Sequence, residues 1–388
     1  MKLLILGSGL MGPAAAYNAL KDPQVSQVVL CDASQAALEA GLQKLASVGQ
    51  NRRLGVVRLD LNNQAATIDL MRNFDAVLSA LPPPVCPLGI RAAIRAGVPL
   101  VDLSHADEGL IPEMERTEDT SKAKVLLGCG VEPGLTEILA RHLAEKLDRV
   151  DELHIKCGGI PEKPAPPLGY KIVFGGRELP LHERDGHVVE NGQLKLVPRY
   201  SRVEHTTFNG VGKVEAWVEN FMPWLLNLPA LQTLQTGTQK TVRWPGYAEK
   251  VTVLKELGLL SLQPVQVDGV EVAPKKVVDA VLYPRVRLEE GERDLTLFRV
   301  EVSGQKNGQP AQLRVEMVDR YDPQTGFTSM ARTTAFTGAI IARMIMRGDL
   351  PVQGLQTPEQ VITGSLFDHL LAELEREGIR FAFEEAGD

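Results

Sequence analysis

Gly7, Gly9 and Gly12 stand at the G-x-G-x-x-G spacing between a short apolar run, Leu3–Leu6, and an alanine-rich stretch beginning at Ala14. That pattern is chemistry for holding a pyrophosphate. Gly7 turns the chain out of a strand, Gly9 lets a phosphate approach bare backbone, and Gly12 lets the next helix lie close on the sheet. Leu10 and Met11 complete the loop, and the helix that follows offers unpaired N–H groups to an anion. Pro13 costs nothing there, because a first-turn N–H has no partner anyway. Twenty residues after Gly12, Asp32 ends a second apolar run, Val28–Cys31. An acid at that place accepts hydrogen bonds from the hydroxyls of an adenosine ribose. It would also repel a 2′-phosphate, and Ala33 and Ser34 bring no arginine to receive one. The expected cofactor is NAD, with NADP the lesser choice. Arg52 and Arg53, the cations weighed as able to rescue NADP, precede the third strand.

Further along lie residues suited to removing hydride and a proton from an amine. Asp102 and His105 follow an apolar run. A carboxylate there could attract an ammonium or take its proton, while Ser104 and Asp107 make the same place a helix N-cap. Glu132, before Pro133 and Gly134, is either a base or ammonium partner facing a nicotinamide, or an acid complementing a helix dipole. Tyr170 could orient an amine or a water, or plug a loop. Lys171 beside it is a base only if desolvation lowers its pKa. Arg243 offers a planar fork that matches a carboxylate in two places. His154, His182, His187 and His205 have no metal-ligand spacing, so no metal is expected. Ser8 and Ser104 lack the G-x-S-x-G nucleophile-elbow context, so a hydrolase triad is not expected.

These residues need positioning. Up to residue 130, strands are expected at 3–6, 27–32, 55–60, 75–80, 98–103 and 123–129, with amphipathic helices between them. That rhythm makes an α/β fold with a Rossmann-type, doubly wound parallel sheet. Ligands bind such sheets at the carboxyl ends of the strands. Those ends add Asp60, Ala80, Leu81 and Pro82 to the cofactor residues, with Pro82 also facing substrate. From 150 to 330 the turns Asn191-Gly192, Asn209-Gly210 and Asn307-Gly308 punctuate short strands. They imply a second α+β domain with a mostly antiparallel sheet. Helices are expected at 247–258, 274–281, 333–347 and 365–377. The expected division is 1–133 for the dinucleotide, 134–330 for substrate binding and dimerisation, and 331–388 returning to the first domain.

A net charge of −7 and a pI near 5.7 argue against a nucleic-acid surface. No apolar run reaches the roughly 18 residues that span a membrane. The N-terminal apolar run passes straight into the glycine loop, so it reads as a strand rather than a signal peptide. Four scattered cysteines suggest reduced thiols and a cytoplasmic protein.

Six segments carry a family resemblance: Gly7–Gly12, Val131–Gly134, Cys157–Pro161, Pro167–Tyr170, Thr241–Gly246 and Met330–Thr334. Together they resemble the saccharopine dehydrogenase and lysine 6-dehydrogenase family, and the lysine 6-dehydrogenases above all. The resemblance implies a homodimer that oxidises a carbon–nitrogen bond of a small amino acid with NAD(P). It raises Tyr170 to a catalytic residue beside Asp102 and Glu132 and makes the stretch with Thr241 and Arg243 a substrate-binding segment, while His105 is expected at the substrate from its place after the strand end. The chain departs from the saccharopine reductases at Pro83, where they have tyrosine. It also has no arginine between Arg202 and Arg243, whereas they place one around 219–226. The expected reaction is therefore oxidation of L-lysine at its ε-carbon. The alternatives are a saccharopine- or carboxyspermidine-type reductase and a non-catalytic NAD-binding sensor.

Overall fold

Lys2–Leu6 (β1) buries Leu3, Leu4, Ile5 and Leu6 almost completely, as a strand must when helices cover both faces of its sheet. The structure, a computed structural model, describes residues 1–386 apart from 51, 105–108, 175 and 290. After β1 the elements alternate: Gly12–Lys21 (α1), Gln27–Asp32 (β2), Gln35–Ser47 (α2), Leu54–Arg58 (β3), Gln64–Met71 (α3), Ala76–Ser79 (β4), Cys86–Ala96 (α4), Leu100–Asp102 (β5), Leu110–Thr117 (α5), Lys124–Leu126 (β6) and Leu135–Ala144 (α6). Local chemistry sets the boundaries. Ser34 and Asn63 accept the Ala37 and Ala66 N–H groups to start α2 and α3. Gly97, at φ 70°, ends α4 in the left-handed conformation.

The second half carries Arg149–Pro161 (β7), Gly186–Glu190 (β8), Gln193–Val197 (β9), Glu204–Phe208 (β10), Gly212–Val218 (β11), Thr236–Arg243 (β12), Tyr247–Glu256 (α7), Val265–Val267 (β13), Val270–Val272 (β14), Pro274–Val286 (α8), Asp294–Lys306 (β15) and Gln309–Arg320 (β16). Ser329–Arg347 (α9), Gly354–Gln356 (β17), Pro358–Val361 (α10), Ser365–Arg376 (α11) and Ala382–Ala386 (β18) complete the chain.

Two compact units divide these elements. The first comprises Met1–Ile138, Asp322–Phe327 and Ala331–Ile379. Its sheet runs β17-β6-β5-β4-β1-β2-β3, parallel throughout. This is the doubly wound order, with its switch point between β1 and β4. β17 adds an edge strand beyond that order, from a tail in which only the α11 helix was expected. Within this unit α9 packs closely: a Cβ on Gly338 would meet Leu103 Cδ2 at 2.2 Å. Buried Arg343 joins α9 to Asp22 and to Glu373 of α11.

The second unit comprises Leu139–Tyr321, Thr328–Met330 and Arg380–Asp388. Its sheet runs β10-β11-β12-β7-β15-β16-β18, with β8 joining β12 and β9. Asn191-Gly192 and Asn307-Gly308 close hairpins with both φ angles positive, as a tight two-residue turn requires. The β7–β12 pair is parallel in this otherwise antiparallel sheet. Among the described residues no helix is long and apolar enough to cross a membrane.

Candidate functional site

In the first unit each glycine of the loop has its own geometry. Gly7 sits at φ +95°, and a Cβ there would lie 2.6 Å from the Ala80 carbonyl oxygen. A Cβ on Gly12 would lie 2.0 Å from the Gly7 carbonyl oxygen, so only glycine lets α1 start this close to the loop. A Cβ on Gly9 would meet nothing within 4 Å; the protein itself does not require glycine there. Asp32 ties the loop to β2, since one oxygen accepts the Ser8 N–H at 2.8 Å and the other accepts the Ser34 N–H at 2.8 Å. Leu10 is exposed and Met11 half-buried. These residues fit a dinucleotide: bare backbone at Gly9, a free helix start and an acid at the end of β2.

The neighbouring strand ends are less uniform. Asp60 is exposed and closes a turn with Asn62. Ala80 and Leu81 are half-buried, and Pro82 is exposed. Arg53 donates to the Asp22 and Val25 carbonyls and so caps the end of α1. A cation beside Asp32 is Arg58, paired with it in the β2–β3 register and donating to the Ala33 carbonyl at 3.1 Å. Attention to Arg52 and Arg53 missed it, because only strand pairing brings residues 32 and 58 together.

Asp102 ends β5 with no exposed surface. Its Oδ2 accepts the Ser104 N–H at 3.0 Å and the Ser104 hydroxyl lies 3.2 Å away, while Oδ1 has no partner by hydrogen-bond geometry. Burial pushes this carboxyl up to about 7, against the opposing pull of its hydrogen-bonding neighbours. Cys86 Sγ stands 3.1 Å from Ser104 Oγ, and burial pushes that thiol far up. Cys86 carried no spacing signal, since it comes from the start of α4. His105 lies outside the described residues. Glu132 is half-buried ahead of α6. The α6 start is served by a residue the sequence did not single out: buried Glu137 accepts the Gly134 N–H at 2.6 Å.

The second unit gathers the other candidates around β12. Every residue from Gly237 to Arg243 is buried, and most are polar. Polar groups withdrawn from water need partners, and here they find them. Thr238 meets His154, Gln239 accepts the Met222 N–H, and Lys240 donates to the Arg202 carbonyl. Arg243 is 4% exposed. Its guanidinium stands 4.9 Å from the Tyr170 ring centre and 5.7 Å from that of Tyr247. Tyr247 stacks on Trp217 with planes 5° apart, and Trp217 packs against Tyr200 at 4.7 Å. Arg243 Nη1 donates to the Val242 carbonyl, but Nε has no acceptor, and no carboxylate pairs with the group among the described residues. Glu215 lies directly opposite on β11, yet its two oxygens accept the Gly246 and Ala248 N–H groups at 2.6 and 2.7 Å. Tyr170 is 1% exposed, its hydroxyl also lacks a hydrogen-bond partner, and burial raises its pKa. Lys171 is paired with Glu292 at 2.9 Å.

Thr241 points to the same face as Arg243 and donates to Glu219 Oε2 at 3.1 Å. Glu219 Oε1 lies 2.6 Å from Arg199 Nη1. The absence of arginine between 202 and 243 therefore hid one three positions outside that window. An aromatic-lined, buried guanidinium without a counter-charge is an arrangement for taking a carboxylate. Among the described residues no cluster of His, Cys, Asp and Glu could hold a metal.

Comparison with known proteins agrees with both halves. A family model for the saccharopine dehydrogenase NADP binding domain matches residues 3–126, and one for the saccharopine dehydrogenase C-terminal domain matches residues 130–379. The chain belongs to the saccharopine dehydrogenase family. Among its relatives in that family is the mitochondrial alpha-aminoadipic semialdehyde synthase of Bos taurus, 22% identical over 98% of this chain and 47% of the bovine protein. The chain thus spans about half the length of that relative. The NADP(+), L-glutamate-forming saccharopine dehydrogenase of Schizosaccharomyces pombe is 22% identical over 84% of this chain and 88% of its own. A carboxyaminopropylagmatine dehydrogenase of Synechocystis is 21% identical over 93% and 92%. The apo saccharopine dehydrogenase (L-Glu forming) of Saccharomyces cerevisiae superposes with a TM-score of 0.80 at 18% identity, covering 100% of both chains. That likeness shows that the family fold extends over the whole chain.

Proposed function

We propose that this protein is an NAD(P)-dependent oxidoreductase acting on the carbon–nitrogen bond of an amino acid, with L-lysine, oxidised at its ε-carbon, as the substrate. One observation carries the reading: Arg243 is buried over Tyr170 and Tyr247 without a carboxylate of its own. A substrate carboxylate would satisfy its free Nε, and the two rings hold the guanidinium plane in place. Bound NAD would accept the hydride lost from the ε-carbon. The ammonium must give up a proton first. We assign that proton to Asp102, whose carboxyl is pushed up to about 7 by burial, with the Ser104 hydroxyl donating to it at 3.2 Å. Glu132 complements the ammonium, and the Tyr170 hydroxyl orients the amine or a water. Two copies would associate, as the family resemblance implies.

NAD is the preferred cofactor in this reading, because Asp32 places a negative charge where a 2′-phosphate would sit. Arg58 supports the opposite preference, and the relatives named for NADP favour it too. Binding of NADH and NADPH at equal salt separates the two; tighter NADPH binding refutes the NAD assignment.

The main test is absorbance at 340 nm with NAD and a panel of amines. Lysine should turn over faster than saccharopine. Arg243→Ala should lower kcat/KM for lysine roughly ten- to a hundred-fold, the loss of a charged hydrogen-bonded contact. Arg243→Lys should recover part of it, since a point charge cannot pair both oxygens. Faster turnover of saccharopine, favoured by the names of the relatives, would instead establish a saccharopine-type enzyme.

A further inference from the structure

Arg199 is a second buried guanidinium on the face of the sheet that carries Arg243, its side chain 1% exposed. Its charge is met by Glu219, 2.6 Å away, whose other oxygen takes the Thr241 hydroxyl at 3.1 Å. Thr241 lies two residues before Arg243 on β12, and Glu219 follows the end of β11, so strand pairing sets Glu219, Thr241 and Arg243 on one side. Arg199, Glu219 and Arg243 all act electrostatically on the Tyr200 phenol, which burial pushes up to about 12. The ion pair is close but poorly aligned: Arg199 Nε and Nη1 make no hydrogen bond of good geometry. Glu219 itself is 32% exposed. The site thus contains two arginines, one without a carboxylate and one already holding a carboxylate supplied by the chain.

We propose that Glu219 is a built-in carboxylate that occupies Arg199 and restricts the site to substrates with one carboxylate and a cationic amine. The inference rests on the reading of Arg243 as the substrate carboxylate clamp. A ligand's single carboxylate pairs with Arg243. A second carboxylate arriving beside Arg199 meets Glu219 and is repelled, whereas an ammonium is attracted to the exposed part of the same side chain. Glu219→Gln removes the charge, keeps an acceptor for Thr241, and leaves Arg199 able to receive a second carboxylate.

Two probes of similar length test this: 5-aminopentanoate, with one carboxylate and an ammonium, and glutarate, with two carboxylates. Binding to the full chain is followed by tryptophan fluorescence, Trp217 being stacked on the cage. The native protein should prefer 5-aminopentanoate, and Glu219→Gln should shift the affinity ratio toward glutarate by roughly tenfold or more. The double variant Arg199→Leu, Glu219→Leu removes the pair as a unit, a change that folded proteins commonly tolerate. It should lose the preference without gaining tight glutarate binding, and it serves if Glu219→Gln does not fold. An unchanged ratio in whichever variant folds overturns the inference. If that ratio is unchanged while Arg243→Ala abolishes binding of both probes, the clamp stands and the role of Glu219 fails. A native protein that binds neither probe overturns the clamp and this inference together.

Discussion

At the scale of single residues, two glycines of one motif separate what the cofactor needs from what the fold needs. Gly9→Val meets no protein atom near its Cβ, so the variant should fold with a native melting temperature and lose NADH binding. Gly12→Val drives a side chain into the Gly7 carbonyl and should cost roughly 3 kcal/mol or more of stability. Thermal melts and NADH titration of the two variants read the contrast; a Gly9→Val protein that binds NADH normally rules the loop out as the phosphate site. Asp102 makes a different prediction, in pH. Its carboxyl titrates near 7 when folded and near the ordinary 3.8 when unfolded. The folded state therefore binds more protons between those values, and stability from this group falls as pH rises from about 4 to about 7. Asp102→Asn should flatten that fall by on the order of 1–3 kcal/mol between pH 5 and pH 8. Urea midpoints at the two pH values measure it, and parallel curves for both proteins would count against a raised Asp102.

At the scale of elements, the Arg243 cage depends on how α7 begins. Glu215 reaches from β11 to the N–H groups of Gly246 and Ala248, and so fixes Tyr247 over the guanidinium. Glu215→Ala should cost about 1–3 kcal/mol for the buried N–H groups left without an acceptor. It should also weaken the near-ultraviolet circular dichroism of the Tyr247–Trp217 stack; an unchanged spectrum would show that α7 is seated by other contacts. Elements whose signals are local were legible from sequence: β1 to β6 with their intervening helices, and the hairpins at Asn191-Gly192 and Asn307-Gly308. β12 was legible as a strand, but its burial was not, because Thr, Gln, Lys and Arg read as solvated until their partners on other strands are known. β17 and β18 are short edges defined only by pairing with β6 and β16. The same reason concealed Arg58 beside Asp32 and Glu219 between Arg199 and Thr241, for no spacing rule links residues that meet through strand register.

At the scale of the whole molecule, the first unit is built from three separated stretches of chain. A fragment of residues 1–133 keeps the dinucleotide loop but loses β17, α9 and α11, leaving Asp22 without Arg343 and Arg347. Removing the partner of a buried charge costs about 3–5 kcal/mol, a large share of the 5–15 kcal/mol that holds a typical domain. The fragment should show poorly dispersed amide resonances and no NADH binding, and a well-dispersed spectrum would refute its dependence on the C-terminal segments. The position of β17 also imposes a timetable on synthesis. Its neighbour β6 ends at Leu126, and β17 begins at Gly354. A ribosome adding about 5–20 residues per second takes roughly 10–45 s to make the intervening chain. Through that interval the β6 edge stays open on the nascent protein, while nearly all of the β7–β16 sheet emerges and can pair. The half of the molecule that leaves the ribosome first is thus among the last to be completed, and it is exposed to chaperones and to mispairing for longer than its place in the gene suggests.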